Sequence, residues 1–127
     1  MQVNRLTILV TDQDAARTFF VTAFGWDCVE DHQASPNKRI VRVAPKGGDV
    51  SFNLATPKPG DESIMGRQAG QRVLGFIDTD DLTVDLARFH EHGVTLVDGP
   101  RDESFGRCVL VRDLVGNVWE FVERQPE

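Results

Sequence analysis

The 127-residue chain has few of the side chains that build disulfide, metal or redox sites. Its two cysteines, Cys28 and Cys108, are too few for a disulfide framework, and their spacing is not that of a zinc site. The three histidines are equally scattered. His90 and His92 stand two residues apart near the end of a predicted helix and share no face, and His32 falls in a predicted polar loop. We therefore expect surface histidines and buried, unreactive thiols.

Long apolar runs and a leader sequence are also lacking. No stretch approaches the roughly 20 apolar residues that cross a bilayer. The start of the chain, MQVNRLTILVTDQD, has neither the charged beginning nor the cleavage site of a secretory signal. The net charge of −6 repels phosphate backbones and anionic lipid surfaces. These features predict a cytoplasmic protein that binds neither nucleic acid nor membranes.

Two common catalytic motifs are missing from the sequence. It has no serine nucleophile elbow, and Gly47 and Gly48 join two predicted strands instead of opening a helix, as a phosphate-binding loop does. What is present is the composition of a globular domain, 40% hydrophobic and 27% charged. A chain of this length buries one core, so we expect a single domain over residues 1–127.

Two halves of the chain repeat each other when the sequence is shifted by 68 residues. VTDQDAARTFFVTAFGWDCVED in the first half then aligns with DTDDLTVDLARFHEHGVTLVDG in the second. Gly25 meets Gly93, Thr11 meets Thr79, and later Val43 meets Val111 and Gly48 meets Gly116. Because one register holds through several elements, the pattern indicates a duplicated unit.

Each copy is predicted to form a strand, a helix and three further strands. Alternating side chains in RLTILV indicate the first strand. Thr11 or Asp12 is expected to cap the helix that follows, as Asp80 or Asp81 does in the second copy. Gly25 suits the exit from the first helix.

These elements predict an α+β fold of two βαβββ modules. Module one covers residues 1–57, a connector covers 58–71, and module two covers 72–124. We expect the two sheets to form a curved mixed sheet or open barrel, with the helices outside and a cleft inside. The connector is rich in Pro, Gly and charge and is long for a compact domain, which is typical of lids and binding loops.

Two segments resemble those of the vicinal oxygen chelate superfamily, which has the glyoxalase/bleomycin resistance/dioxygenase fold. One is VTDQDAARTFF with the later FGW, after the first strand. The other is RDLVGNVWEFVE, which is similar to the family ending Asp-Pro-Asp-Gly-Asn-x-x-Glu-Leu, although Leu114 and Val115 replace the Pro-Asp of the turn. The superfamily hosts isomerases, dioxygenases, thiol transferases and metal-free drug-binding proteins, so the resemblance implies a fold and leaves the reaction open.

The resemblance also implies where metal ligands belong, on the first and last strands of each module. In this chain those positions are Arg5, Asn53, Leu74 (or Val73) and Glu120. Of these, Glu120 alone carries a good metal-binding group, whereas metal sites take about three protein ligands or more. We therefore predict no metal cofactor and disfavour a divalent ion.

Glu120 is then open to three interpretations. In the family fold it lines the same cleft as Arg5, so the two side chains are expected to form an ion pair that offsets the desolvation of the carboxylate. That pair either orients a polar ligand or is a satisfied salt bridge in an unused groove. Alternatively, Glu120 acts as a general base.

The resemblance implies a metal-free glyoxalase/bleomycin-resistance-like protein that binds a small organic ligand in its cleft and forms a homodimer. The alternative is a glyoxalase-type lyase or isomerase with Glu120 as base or metal ligand, and a third is an interaction module, so catalysis stays open. Candidate ligand contacts face the cleft or line its mouth: Arg5, Thr7, Asn53, Leu74, Phe76, Asp78 and Glu120, with Trp26, Phe105 and Arg107 at the mouth.

Overall fold

A computed structural model describes residues 1–125 and shows two βαβββ modules. Module one contains β1 (Arg5–Leu9), α1 (Gln13–Thr22), β2 (Asp27–Ser35), β3 (Lys38–Ala44) and β4 (Ser51–Ala55). Module two contains β5 (Val73–Asp78), α2 (Leu82–Glu91), β6 (Leu96–Glu103), β7 (Gly106–Arg112) and β8 (Val118–Arg124). The predicted α+β fold of paired modules is therefore confirmed. Neither of these two α-helices is long and apolar enough to cross a membrane.

Each module forms its own four-stranded mixed sheet, in the orders β1-β4-β3-β2 and β5-β8-β7-β6. The first strand of each module pairs in parallel with the last, and the other pairings are antiparallel. Within residues 1–125, no strand of one sheet pairs with a strand of the other. The two modules are therefore joined by side chains and by the connector.

The helices begin where the sequence places a capping carboxylate. Of the two alternatives at each helix, Asp12 caps α1 and Asp81 caps α2, accepting hydrogen bonds from the backbone N–H groups of Ala15 (3.0 Å) and Val84 (3.1 Å). Gly25 lies just beyond α1 with a φ of 74°, in the left-handed region that glycine adopts at low cost.

The second strand of each module is longer than the sequence pattern indicates. β2 continues to Ser35 and β6 to Glu103, each with shifts of register against its partner strand. His32 consequently lies on β2, not in a loop as predicted. Alternation alone misses these extensions because bulges interrupt the period of two.

The helix-bearing sides of the two sheets share one aromatic core. Trp119 of β8 is fully buried and packs edge-on against Trp26, with ring centroids 5.4 Å apart. Phe24, just after α1, contacts the rings of Phe89 on α2 and Phe121 on β8 at 5.8 and 5.2 Å. Burial of these rings, which contribute large apolar areas, holds the two modules together.

Arg88 of α2 adds a polar link between the modules. Its guanidinium donates hydrogen bonds to the carbonyl oxygens of Ala23 (3.1 Å) and Phe24 (3.0 Å) and pairs with Asp85 at 2.6 Å. A cation at this position satisfies carbonyl groups left free at the end of α1.

The connector is attached to both modules. The side-chain amide of Gln68 accepts a hydrogen bond from the Leu9 N–H (2.7 Å) and donates one to the Thr7 carbonyl (2.9 Å), so it closes the outer edge of β1. Its backbone N–H donates to Asn117 Oδ1 of module two at 3.4 Å. Gly66 lies so close to Val115 that a Cβ atom there would stand 2.1 Å from the Val115 carbonyl oxygen.

Candidate functional site

Each sheet has an outer face, which we define as the face opposite the shared aromatic core. Paired residues on neighbouring strands point to the same side, so the register assigns the side chains. On the first sheet the outer face carries Arg5, Thr7, Asn53, Arg42 and Glu30. On the second sheet it carries Phe76, Asp78, Leu110, Glu120 and Val122. The predicted cleft residues therefore fall into two groups on two different sheets.

The outer face of the first sheet is polar and internally paired. Arg42 contacts Glu30 at 2.5 Å and donates a hydrogen bond from Nε to Ser51 Oγ at 3.1 Å. His32 Nδ1 lies 3.1 Å from the other oxygen of Glu30. The hydrogen bond from Arg42 holds the pKa of Glu30 below its usual value, with smaller contributions from the charges of Arg42, His32 and Arg5.

Arg42 and Glu30 belong to this face but are not among the site residues predicted from the sequence. The sequence does carry a signal for Arg42, because this residue alternates with the apolar Val41 and Val43, which are buried on β3. The alternation therefore places Arg42 on the face opposite Val41 and Val43, but it does not show which of the two faces packs against the helix.

The outer face of the second sheet combines an exposed aromatic ring with a carboxylate. Phe76 is 70% exposed and lies beside Glu120 in the register of β5 and β8. Glu120 in turn lies beside Leu110, and Val122 is buried further along the strand. The half-buried Glu120 side chain makes neither a salt bridge nor a hydrogen bond within residues 1–125, whereas Asp78 pairs with Arg124 at 3.1 Å.

Two predicted contact residues lie in the core instead of the cleft. Leu74 packs against the aromatic core because a register shift between Val73 and Gly75 breaks the alternation that placed it beside Phe76. Trp26 is 3% exposed and stacks between Phe20 and Phe52, at ring distances of 5.0 and 5.3 Å. The role of these two side chains as ligand contacts stays a prediction.

The other two mouth residues also lie apart from Glu120. Arg107 pairs in register with Glu123 on the helix-bearing side of β7, and its guanidinium donates to Thr83 Oγ1 of α2 at 3.3 Å. Phe105 is exposed in the turn between β6 and β7. Arg107 therefore points away from the outer face that carries Phe76, and Phe105 lies in a turn beyond the paired strands.

Arg5 and Glu120 form no ion pair with each other within the described chain, since they lie on separate sheets. The two thiols also differ from expectation in one case. Cys28 is exposed on β2, contrary to the prediction of burial, whereas Cys108 is buried on β7 and desolvation raises its pKa.

The metal positions implied by the family resemblance do not fit a metal ion. Arg5 and Asn53 lie on the first sheet, Glu120 lies on the second, and Leu74 packs into the core. Over residues 1–125, no three His, Cys, Asp or Glu side chains are grouped so as to hold an ion. One carboxylate beside apolar neighbours offers too few donors for Zn²⁺, Mg²⁺ or Ca²⁺.

The sequence and the structure both have close relatives. An uncharacterized protein of Shewanella frigidimarina (strain NCIMB 400) is 36% identical over 124 residues, covering 95% of this chain and 92% of that protein. Among solved structures, TnmS3, an antibiotic binding protein from Streptomyces sp. CB03234, has 33% identity and a TM-score of 0.80, covering 98% of this chain and 97% of that chain. A glyoxalase/bleomycin resistance protein from the same organism has 32% identity and a TM-score of 0.76, covering 96% and 100%.

The family assignment follows from these relatives together with a match that extends over almost the whole domain. The model of the Glyoxalase/Bleomycin resistance protein/Dioxygenase superfamily matches residues 2–121, which run from module one through the connector and module two as far as the middle of β8. The chain belongs to the Glyoxalase/Bleomycin resistance protein/Dioxygenase superfamily.

Proposed function

We propose that this protein binds a small organic molecule, without a metal, on the outer face of the second sheet. The observation that carries the proposal is the Phe76 ring, 70% exposed beside the unpaired carboxylate of Glu120. A large apolar side chain on an open sheet face marks a contact surface. The likeness to TnmS3, which is an antibiotic binding protein, supports a ligand of drug size.

The chemistry of this face favours a planar ligand that carries a positive charge. The Phe76 ring offers a stacking surface, and the half-buried Leu110 supplies an apolar contact on the same face. Glu120 has no cationic partner within residues 1–125, so a ligand cation would compensate its partly desolvated charge. The protein would then act by sequestering its ligand.

We further propose that a second copy of the chain completes the cleft. The polar group that includes Arg5, Thr7 and Asn53 lies on the other sheet and faces away from the shared core. A homodimer that placed the first sheet of one protomer over the second sheet of its partner would bring these polar groups to the ligand. Arg5 and Glu120 would then meet across the interface.

The test uses a cationic acridine dye and a neutral aromatic compound of the same size, titrated by calorimetry. We expect Phe76→Ala to weaken dye binding by about tenfold or more, which corresponds to the loss of about 1.4 kcal/mol of apolar contact. Glu120→Gln should remove the preference for the cation while the neutral compound still binds. Glu91→Gln, an exposed carboxylate at the end of α2, is the matched control and should bind as the wild type does.

Two results would contradict the proposal. One is dye binding that neither the Phe76 nor the Glu120 substitution changes. The other, for the dimer, is a light-scattering mass of one protomer in the presence of saturating ligand.

A second function remains supported by one observation, the absence of a partner for the Glu120 carboxylate within residues 1–125. A free carboxylate can accept a proton from a bound substrate, as a lyase or isomerase requires. In that case Glu120→Gln abolishes turnover and leaves binding of the substrate intact. Sequestration instead predicts that Glu120→Gln changes binding alone.

A further inference from the structure

A small pocket lies between the connector and the turn that joins β7 to β8. Its volume is about 260 Å³. Arg67 and Gly70 of the connector and Arg72, just before β5, line one side, and Arg112 and Val118 of the β7–β8 hairpin line the other. Gly66 and Asn117 fix the two sides against each other through the contacts described above.

Arginine side chains line the pocket, and no acidic side chain of residues 1–125 lines it with them. Six of the eleven arginines in the chain pair with a carboxylate: Arg17, Arg39, Arg42, Arg88, Arg101 and Arg124. Of the five that do not within residues 1–125, three line this pocket, namely Arg67, Arg72 and Arg112. The residues that line the pocket include neither an aspartate nor a glutamate.

The guanidinium groups are available for a ligand. Arg112 donates one hydrogen bond, from Nη1 to the Gly116 carbonyl at 2.9 Å, which orients its side chain and leaves its other N–H groups free. The side chains of Arg67 and Arg72 make no hydrogen bond within residues 1–125. The positive charges of the three arginines that line this pocket repel one another, and a bound anion would offset that repulsion.

We propose that this pocket is an oxyanion site for a phosphate group, held by Arg67, Arg72 and Arg112. Guanidinium groups match the geometry of phosphate oxygens through paired N–H donors, and the pocket has room for such a group. Because Arg67 belongs to the connector and Arg72 and Arg112 belong to module two, the bound anion ties the connector to module two. Neither Phe76 nor Glu120 lines this pocket, and the proposal does not depend on the function proposed for those two residues.

The experiment measures phosphate binding by calorimetry and by the shift of the melting temperature, with ionic strength held constant by KCl. Inorganic phosphate and glycerol 3-phosphate are titrated separately, so that a site for the free ion is distinguished from a site for a phosphate ester. We expect a saturable rise of the melting temperature with one of the two. Arg72→Gln and Arg112→Gln should each weaken binding by about tenfold or more, because a hydrogen bond to a charged group contributes about 1.5–3 kcal/mol.

The control is Lys58→Gln, which removes one positive charge from the exposed start of the same connector and should leave phosphate binding unchanged. In the absence of phosphate, Arg72→Gln should melt no lower than the wild type, because it removes a repulsive charge, whereas Arg112→Gln also loses the hydrogen bond to the Gly116 carbonyl. The proposal is overturned if neither phosphate compound binds, if KCl alone gives the same shift, or if Lys58→Gln weakens binding as much as Arg72→Gln does.

Discussion

Substitution of Gly75 by alanine should destabilise the protein even though alanine is the better strand residue. Gly75 lies on β5 directly against the indole of Trp119, and a Cβ atom there would stand 2.4 Å from Cζ3 and 2.7 Å from Cε3. The φ angle of Gly75 is outside the left-handed region, so its backbone accepts alanine. The outcome therefore depends on the side-chain clash and not on backbone strain.

The magnitude follows from two opposing effects. Replacing glycine by alanine inside a strand contributes about 0.5–1 kcal/mol of stability through reduced chain entropy. Forcing a methyl group into a packed core costs about 1–3 kcal/mol. The indole cannot yield easily, because Trp119 is fully buried, contacts four other aromatic rings and donates a hydrogen bond from Nε1 to Asp113 at 2.9 Å. We expect a net loss of about 1–2 kcal/mol.

A double-mutant cycle with Trp119→Leu tests the cause directly. Removing the indole is itself costly, by about 3 kcal/mol or more, but that cost is common to both arms of the comparison. In the Trp119→Leu background the methyl group of Gly75→Ala has space, so the same substitution should be neutral or stabilising. Urea unfolding followed by circular dichroism gives the four free energies. Additive effects, or a more stable Gly75→Ala in the wild-type background, would refute the reasoning.

Two further predictions concern the connector and a surface ion-pair network. Gln68→Met keeps the side-chain length but removes the amide that accepts a hydrogen bond from the Leu9 N–H. We expect hydrogen exchange at the Leu9 amide to become about three- to tenfold faster. An unchanged rate would contradict closure of the β1 edge by this side chain. Arg39 holds the pKa of Asp31 below its usual value, chiefly through a side-chain hydrogen bond. This stabilisation is present above the unfolded-state pKa and is lost as the pH falls through the lower folded-state pKa, so Arg39→Met should flatten the decrease of the urea midpoint between about pH 5 and pH 3.

The order of the elements could be predicted from the sequence because each element has a local cause. Asp12 and Asp81 cap helices with their own side chains, and the buried strands alternate with a period of two. The 68-residue repeat then requires that the two modules have the same topology, which they do. Such signals come from residues that are close in sequence, and they are sufficient to predict the fold class.

The positions of site residues were harder to predict because they depend on contacts distant in sequence. Leu74 lies at the register shift between Val73 and Gly75, and its partly buried side chain packs against the core while Phe76 keeps its expected face. The position of Trp26 could not be predicted, because an aromatic residue after a helix is found both at cleft mouths and in cores. In the structure it stacks between the rings of Phe20 and Phe52. In both cases a core contact overrides the local pattern.

For Glu120, the alternation along its strand predicts which face its side chain occupies, but it does not predict which other residues that face meets. Parity along β8 correctly places its carboxylate on the face opposite Trp119 and Phe121. The prediction that Arg5 lies opposite it required a further assumption, that the outer faces of one chain's two sheets meet. In this chain the helix-bearing faces meet instead, joined by the contacts of Phe24 with Phe89 and Phe121. The proposed homodimer would bring Arg5 and Glu120 into one cleft, and in that case dilution that dissociates the dimer should abolish ligand binding together with assembly.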